Sequence, residues 1–263
     1  MADNIEVISE SNLSVAWARA FIRLMAVAGG EISPLIVTVD CTRDNAISEH
    51  IDIRNALDLE LVKYGEFSIE TVANTIFPQS LWNQKRNRDL LYKRYIKIWP
   101  KIRKHIQNRR GTYFQRLIAF NDDTHPVNQL EHILSGWNSG LHRHSALQAA
   151  IFDPKRDHVR NRVLGFPCLH QVAFTPGSIG GKKGLFVTGF YATQHIFEKA
   201  YGNYLGLCRL GQFMSAEMGL PLLGMNCIAA KGRIGDHTKK SIDGLRQNML
   251  QTLSHIDSLN EST

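Results

Sequence analysis

His170-Gln171-Val172-Ala173-Phe174, then Thr175-Pro176-Gly177-Ser178-Ile179-Gly180-Gly181-Lys182-Lys183-Gly184, then Leu185-Phe186-Val187-Thr188-Gly189-Phe190-Tyr191: the reading of this stretch decides the fold class. Its two ends are rich in β-branched and aromatic residues and read as strands. The middle has the outline of a phosphate loop, but its lysine comes one position early and no Ser or Thr follows. A glycine-rich hairpin turn is the better reading. Working outward, strand-like runs occur at Ala146–Phe152, at Leu35–Val39 after Pro34, and at Leu222–Ala230. Apolar residues at helical spacing predict helices over Ser14–Ala28 (ended by Gly29-Gly30), Ile53–Tyr64 (ended by Gly65), Val127–Trp137 and Asn203–Met218. A last amphipathic helix is marked by Ile242, Leu245, Met249, Leu253 and Ile256. Hairpins in the middle with helices on either side predict an α+β domain. No repeat, low-complexity tract or Pro/Gly/Ser linker divides the 263 residues, so a single domain is expected.

With 43% hydrophobic and 21% charged residues, composition excludes disorder, collagen-like repetition and a disulfide scaffold. The net charge of +7 is local. Between Gln84 and Arg116 stand twelve Lys/Arg against one acid, Asp89, so this segment carries +11 and the remainder −4. Leu91, Tyr95, Ile98, Ile102 and Ile106 fall on one face of a helix and the cations on the others. Pro100 is easiest to place at a kink or in the first turn of a second helix. The simplest reading is a solvated basic face over a core-facing stripe, with phosphate or nucleic-acid contact as the alternative.

Cys41, Cys168, Cys208 and Cys227 lie far apart, with no C-x-x-C pair, and the N-terminus is acidic where a signal peptide would be basic and then apolar. No apolar run approaches the roughly 18 residues that span a bilayer. The expectation is a cytoplasmic protein with reduced thiols and no membrane partner.

Cys168 follows Gly165-Phe166-Pro167, a turn that can present a side chain at a strand entrance, with Arg143, Arg162 and His170 near it in sequence. A catalytic thiol acts as the thiolate and needs such cationic or hydrogen-bonding company; taken alone, a cysteine beside a strand is more often packing. His142, His144, His158, His170 and His195 raise a metal site, but no carboxylate or cysteine completes a ligand set, and no metal is expected.

From Gly111 to about Gly235 the chain resembles thymidylate synthase and the related pyrimidine hydroxymethylases. Gly111-Thr112-Tyr113-Phe114 is similar to the family's glycine-tyrosine turn, and Asn128-Gln129-Leu130 opens a helix like the one before its arginine pair. Arg143-His144-Ser145 stands near that pair, Ile151-Phe152-Asp153-Pro154 is similar to the tryptophan-asparagine-proline strand end, and Pro167-Cys168 to the nucleophile's Pro-Cys. Leu185–Tyr191, Thr193–Phe197 and Asn203 follow in the family's order. The resemblance implies a thymidylate synthase-like α+β fold, a mixed sheet with packed helices and a sheet face used for dimerisation. It divides the domain into a divergent N-terminal stretch (residues 1–110), a family core (residues 111–235) and a C-terminal helix (residues 236–263).

The implied activity is transfer of a one-carbon unit to C5 of a pyrimidine nucleotide, with 5,10-methylenetetrahydrofolate as donor. By the resemblance Cys168 is the nucleophile that adds to C6, Asn203 reads the base edge, and the catalytic carboxylate, seven residues before a glycine, is Asp58 with Glu60 nearby. Departures point to a changed substrate. Ala192-Thr193 replaces the family's phosphate-binding Arg-Ser, His195 replaces an aspartate, Arg143-His144 replaces an arginine pair lent by the partner subunit, and Lys231 and Arg233 stand on the strand that presents a His and a Tyr to the sugar. Positive charge thus moves from the 5′ to the 3′ side, which suits a ribonucleotide, a 3′-phosphorylated nucleotide or a polynucleotide end. Arg110 is placed to hold the phosphate that an alanine at position 192 cannot.

The family's closing C-terminal segment has no counterpart in Leu253–Thr263. That motivates a second expectation, a homologue that binds or modifies a pyrimidine nucleotide without folate. Both readings imply a homodimer. Nucleic-acid engagement through Lys85–Arg116 ranks last, because the segment has no helix-turn-helix pattern or stacked-aromatic motif.

Overall fold

A computed structural model describes residues 5–42, 47–120, 126–140, 143–158 and 167–260. In chain order the elements are β1 (Glu6–Glu10), α1 (Leu13–Ala26), β2 (Glu31–Ile32), β3 (Leu35–Asp40), α2 (Ile51–Lys63), α3 (Ile69–Ile76), α4 (Asp89–Ile102), α5 (Tyr113–Ile118) and α6 (Gln129–Asn138). There follow β4 (Gln148–Ala150), α7 (Pro154–Asp157), β5 (Leu169–Ile179), β6 (Lys182–Tyr191), β7 (Gln194–His195), α8 (Tyr201–Glu217), β8 (Leu222–Ala229), β9 (Gly232–Arg233) and α9 (Asp243–Asn260).

The central hairpin forms as read. Ile179 pairs with Lys182, and Gly180 and Gly181 between them take φ of 56° and 80°, the doubly left-handed geometry of a tight two-residue turn. Around it a six-stranded mixed sheet runs in the order β1-β3-β8-β6-β5-β4. The β1–β3 and β6–β8 pairs are parallel and the others antiparallel. A small second sheet, β2-β9-β7, sits beside it.

Period-2 burial gives the large sheet two unlike faces. Val37, Val39, Val172, Phe174, Val187, Tyr191, Met225 and Cys227 are buried and meet α1 and α8. On the other face Phe190 and Val7 are exposed, and Ile36, Phe186 and Ile228 are half-buried. α8 is buried on nearly every side because α3 covers its back. A Cβ at Gly202 would lie 2.8 Å from the Ile69 carbonyl, and one at Gly206 2.8 Å from the Ala73 carbonyl, so only glycine lets these helices approach so closely.

Several expectations change. β1, α3 and α5 add to the elements expected from the sequence. The strand expected over Ala146–Phe152 shrinks to β4, behind a 3₁₀ turn at His144–Ala146. Pro100 lies in the last turn of α4, where the hydrogen bond it removes no longer propagates, and Ile106 is exposed on a separate turn instead of continuing the stripe. Two of the twelve cations leave the solvated face: Arg88 pairs with Glu131 and Glu217, and Arg116 is buried against Asp157. No helix among the described residues is long and apolar enough to cross a membrane. The expectations attached to His142, Arg162 and Gly165-Phe166 lie outside the described residues.

Candidate functional site

The end of the sheet where β6 finishes brings together residues far apart in sequence. Cys168 enters β5, its carbonyl accepts the Ala192 N–H at 3.1 Å, and the next residue, Leu169, pairs with Tyr191. α8 runs antiparallel to β6: Gly211 abuts Val187, and one turn earlier Leu207 fills the space over Gly189. The rise of one helical turn roughly matches two strand residues, so the start of α8, with Asn203, lies towards the Tyr191 end of β6, the end at which Cys168 enters β5. Asn203 is buried, and its carboxamide makes no hydrogen bond to any described residue. The Tyr113 hydroxyl closes the group, facing the backbone N–H groups of Leu169 and Cys168.

Cys168 is half-buried. Burial pushes its thiol up, and no cation among the described residues offsets it. Burial likewise raises Tyr113 and Tyr191, and it pushes Cys227 up to about 12 despite the opposing hydrogen bond from Gln194. That bond runs from Gln194 Nε2 to Cys227 Sγ (3.3 Å), while the Tyr204 hydroxyl donates to Gln194 Oε1 (3.2 Å). The Tyr191 hydroxyl is fully buried and has no partner among the described residues. An unpaired buried hydroxyl costs about 1–3 kcal/mol. Tyr191→Phe is therefore expected to leave stability unchanged or raise it by about 1 kcal/mol in urea unfolding; a clear loss would mean that the hydroxyl is bonded in solution.

The remaining sequence-derived candidates are engaged elsewhere. Asp58 accepts the Ile69 N–H at 2.9 Å and so caps the start of α3, and Glu60 pairs with Lys63 at 2.8 Å. Those local bonds give both carboxylates a structural occupation, and among the described residues no charged group is near enough to the Cys168 thiol to counter its burial. Lys231 bonds Glu31 at 2.9 Å, and Arg233 bonds the Gly235 carbonyl and approaches Asp236. The cationic gain read at the sugar end is thus largely neutralised within the chain. Arg143 and His144 are exposed at the 3₁₀ turn, Thr193 is half-buried, and the Arg110 carbonyl accepts from Arg116. The His170 ring stacks on Phe152, and burial holds it below the usual histidine range, so it supplies no cation to its neighbour.

A second constellation is invisible in sequence. Glu66 follows α2, Glu198 sits in a π turn (Ile196–Ala200) leading into α8, and His237 follows β9. One ligand atom from each lies within 4.8 Å of the others. His237 Nε2 is 3.2 Å from Glu66 and 3.9 Å from Glu198, and His195 Nδ1 is 3.7 Å from Glu198 Oε2. Only the His195/Glu198 pair, three residues apart, leaves any trace in the chain, because the rest is assembled by sheet order. The sequence matches no family model and no curated protein, so the reading of both constellations rests on their own chemistry.

Proposed function

We propose that the chain is a thymidylate synthase-like transferase that acts at C5 of a pyrimidine nucleotide through Cys168. What supports this is Asn203 near the start of α8, a buried carboxamide with donor and acceptor both unspent among the described residues and therefore able to pair with a uracil-type edge, on the helix that lies over β6, with Cys168 entering the neighbouring β5. Addition of the Cys168 sulfur to C6 forms a C–S bond and moves the ring's π electrons to C5 and the adjoining carbonyl, where hydrogen-bond donors stabilise the charge. 5,10-Methylenetetrahydrofolate, when bound, would supply the one-carbon unit. The C-terminal helix α9 packs on α1 and α2, and no step here depends on folate.

The thiol needs a cation, and none among the described residues stands near enough to serve. A homodimer built on the exposed sheet face of Val7 and Phe190, with Arg143 reaching the partner's site, would provide one. Incubation with a 5-fluoropyrimidine nucleotide and methylene-folate should give a covalent adduct by intact mass, absent in Cys168→Ala. No adduct, together with no tritium release from C5 across uracil and cytosine nucleotides, sinks the reading.

The burial-raised thiol favours a second reading, a homologue that binds a pyrimidine nucleotide without folate. A binder gains melting temperature from the nucleotide alone; further stabilisation by folate would exclude it.

A further inference from the structure

We propose that Glu66, Glu198 and His237 bind one zinc ion. The proposal does not rest on the pyrimidine reading.

Two independent observations point to a cation. The first is donor geometry. Tetrahedral zinc with bonds near 2.1 Å requires donors about 3.4 Å apart. His237 Nε2 stands 3.2 Å from Glu66 Oε1 and 3.9 Å from Glu198 Oε1, and one ligand atom from each of the three residues lies within 4.8 Å of the others. The second is an orphan. Glu198 is 4% exposed; its Oε1 is held by the Asp236 N–H at 2.7 Å, while its Oε2 is buried without a hydrogen-bond partner. A carboxylate so withdrawn from water is costly unless a positive group faces it. Lys199 lies 3.6 Å from the other oxygen of Glu66, and His195 Nδ1 approaches Glu198 Oε2 at 3.7 Å. Two carboxylates thus face one ammonium here, and His195 is positioned to be a fourth ligand or to orient Glu198.

The surroundings hold the three donors in place. Tyr64 and Phe197 pack on the His237 ring at 4.6 and 5.3 Å, and the Tyr64 hydroxyl is tied to the Ser241 carbonyl at 2.6 Å. The backbone at Gly235 runs so close to the Glu198 carboxylate that a Cβ would not fit. One imidazole and two carboxylates, with no thiolate, suit zinc among the first-row ions, with cobalt as its spectroscopic substitute. Bound there, the ion ties the end of α2 and the loop after β9 to the turn that starts α8.

The test uses the full chain, treated with chelator and dialysed against zinc or cobalt. One equivalent of retained zinc per chain is expected, with a rise in melting temperature of roughly 5 °C at a hundredfold excess over Kd. Cobalt should give weak visible bands without a thiolate charge-transfer band. Glu198→Gln and His237→Asn, checked for fold by circular dichroism, should each weaken zinc binding by at least about tenfold. Wild-type protein that retains no zinc and gains no melting temperature overturns the proposal, as does a cobalt–thiolate band. Zinc retained undiminished by both folded variants overturns it too. Where a variant does not fold, the wild-type retention and cobalt spectrum decide.

Discussion

Asp157→Ala is expected to lower the free energy of unfolding by about 3–5 kcal/mol, the range for removing one member of a buried ion pair. Arg116 and Asp157 side chains are 3% and 0% exposed, and the pair is bidentate: Nη1 to Oδ2 at 2.6 Å and Nη2 to Oδ1 at 2.8 Å. Arg116 also donates to the carbonyls of Ile151 and Arg110, and the Asp153 N–H donates to Asp157 Oδ2. These bonds join α5, the end of β4 and α7, so the alanine variant leaves a guanidinium buried among carbonyls with no counter-charge. Burial pushes the Asp157 carboxyl up, but the Arg116 hydrogen bonds, the Asp153 N–H and the Arg116 charge together hold it below its ordinary value. A depressed folded pKa contributes stability that is complete above the unfolded value of ~3.9 and is lost as pH falls through the folded one. The difference between wild type and variant, read from urea unfolding at pH 7 and again below about pH 3.5, should therefore shrink in acid. A difference under about 1 kcal/mol at pH 7 would show that the pair is solvated.

Phe213→Ala should cost a similar amount, about 3–5 kcal/mol, because the ring is fully buried and its loss leaves a cavity between elements that cannot collapse together. Phe213 stacks on Phe77 at 5.4 Å and meets Trp82 at 5.7 Å and Tyr92 at 6.4 Å; Phe77 in turn meets Phe114, which meets Tyr95. This cluster fastens α8 to α4, so the basic helix is held by aromatic packing. Hydrogen exchange in α4 should accelerate in the variant along with the fall in denaturant midpoint, and Phe213→Leu should lose less than half as much. Unchanged α4 protection with a lowered midpoint would mean that the cavity is absorbed locally.

Much of the fold is legible in the chain because its signals are local. The Gly180-Gly181 turn, the alternation along Leu185–Tyr191 and the amphipathic spacing of α1 each express a constraint satisfied within a few residues. α8 is buried on nearly every side, and α3 carries Ile69, Val72, Ala73 and Ile76 at helical spacing behind the Ser68 cap, but the places of α3 and of the five-residue β1 come from packing on α8 and pairing with β3. The charge count misleads in the same way. Arg88 and Arg116 count as surface cations in a linear tally, yet their carboxylate partners lie 43, 129 and 41 residues away. Lys231 and Arg233, read as free for a phosphate, meet Glu31 and Asp236.

The candidate site divides along the same line. Cys168 and Asn203 stand out in the sequence, whereas only the packing of α8 antiparallel over β6 sets the start of that helix towards the end of the sheet where Cys168 enters. Spacing picks out the carboxylates Asp58 and Glu60, and local hydrogen bonding puts both to structural use. By itself the sequence determined which segments are strand or helix and which residue types are chemically able, since those properties are set by neighbours along the chain. Tertiary structure alone decided which charges are cancelled, that burial withholds the thiolate at Cys168, and that Glu66, Glu198 and His237 meet. Electrostatic free energy depends on distance and solvent exclusion, and both are fixed only when the sheet has closed under its helices.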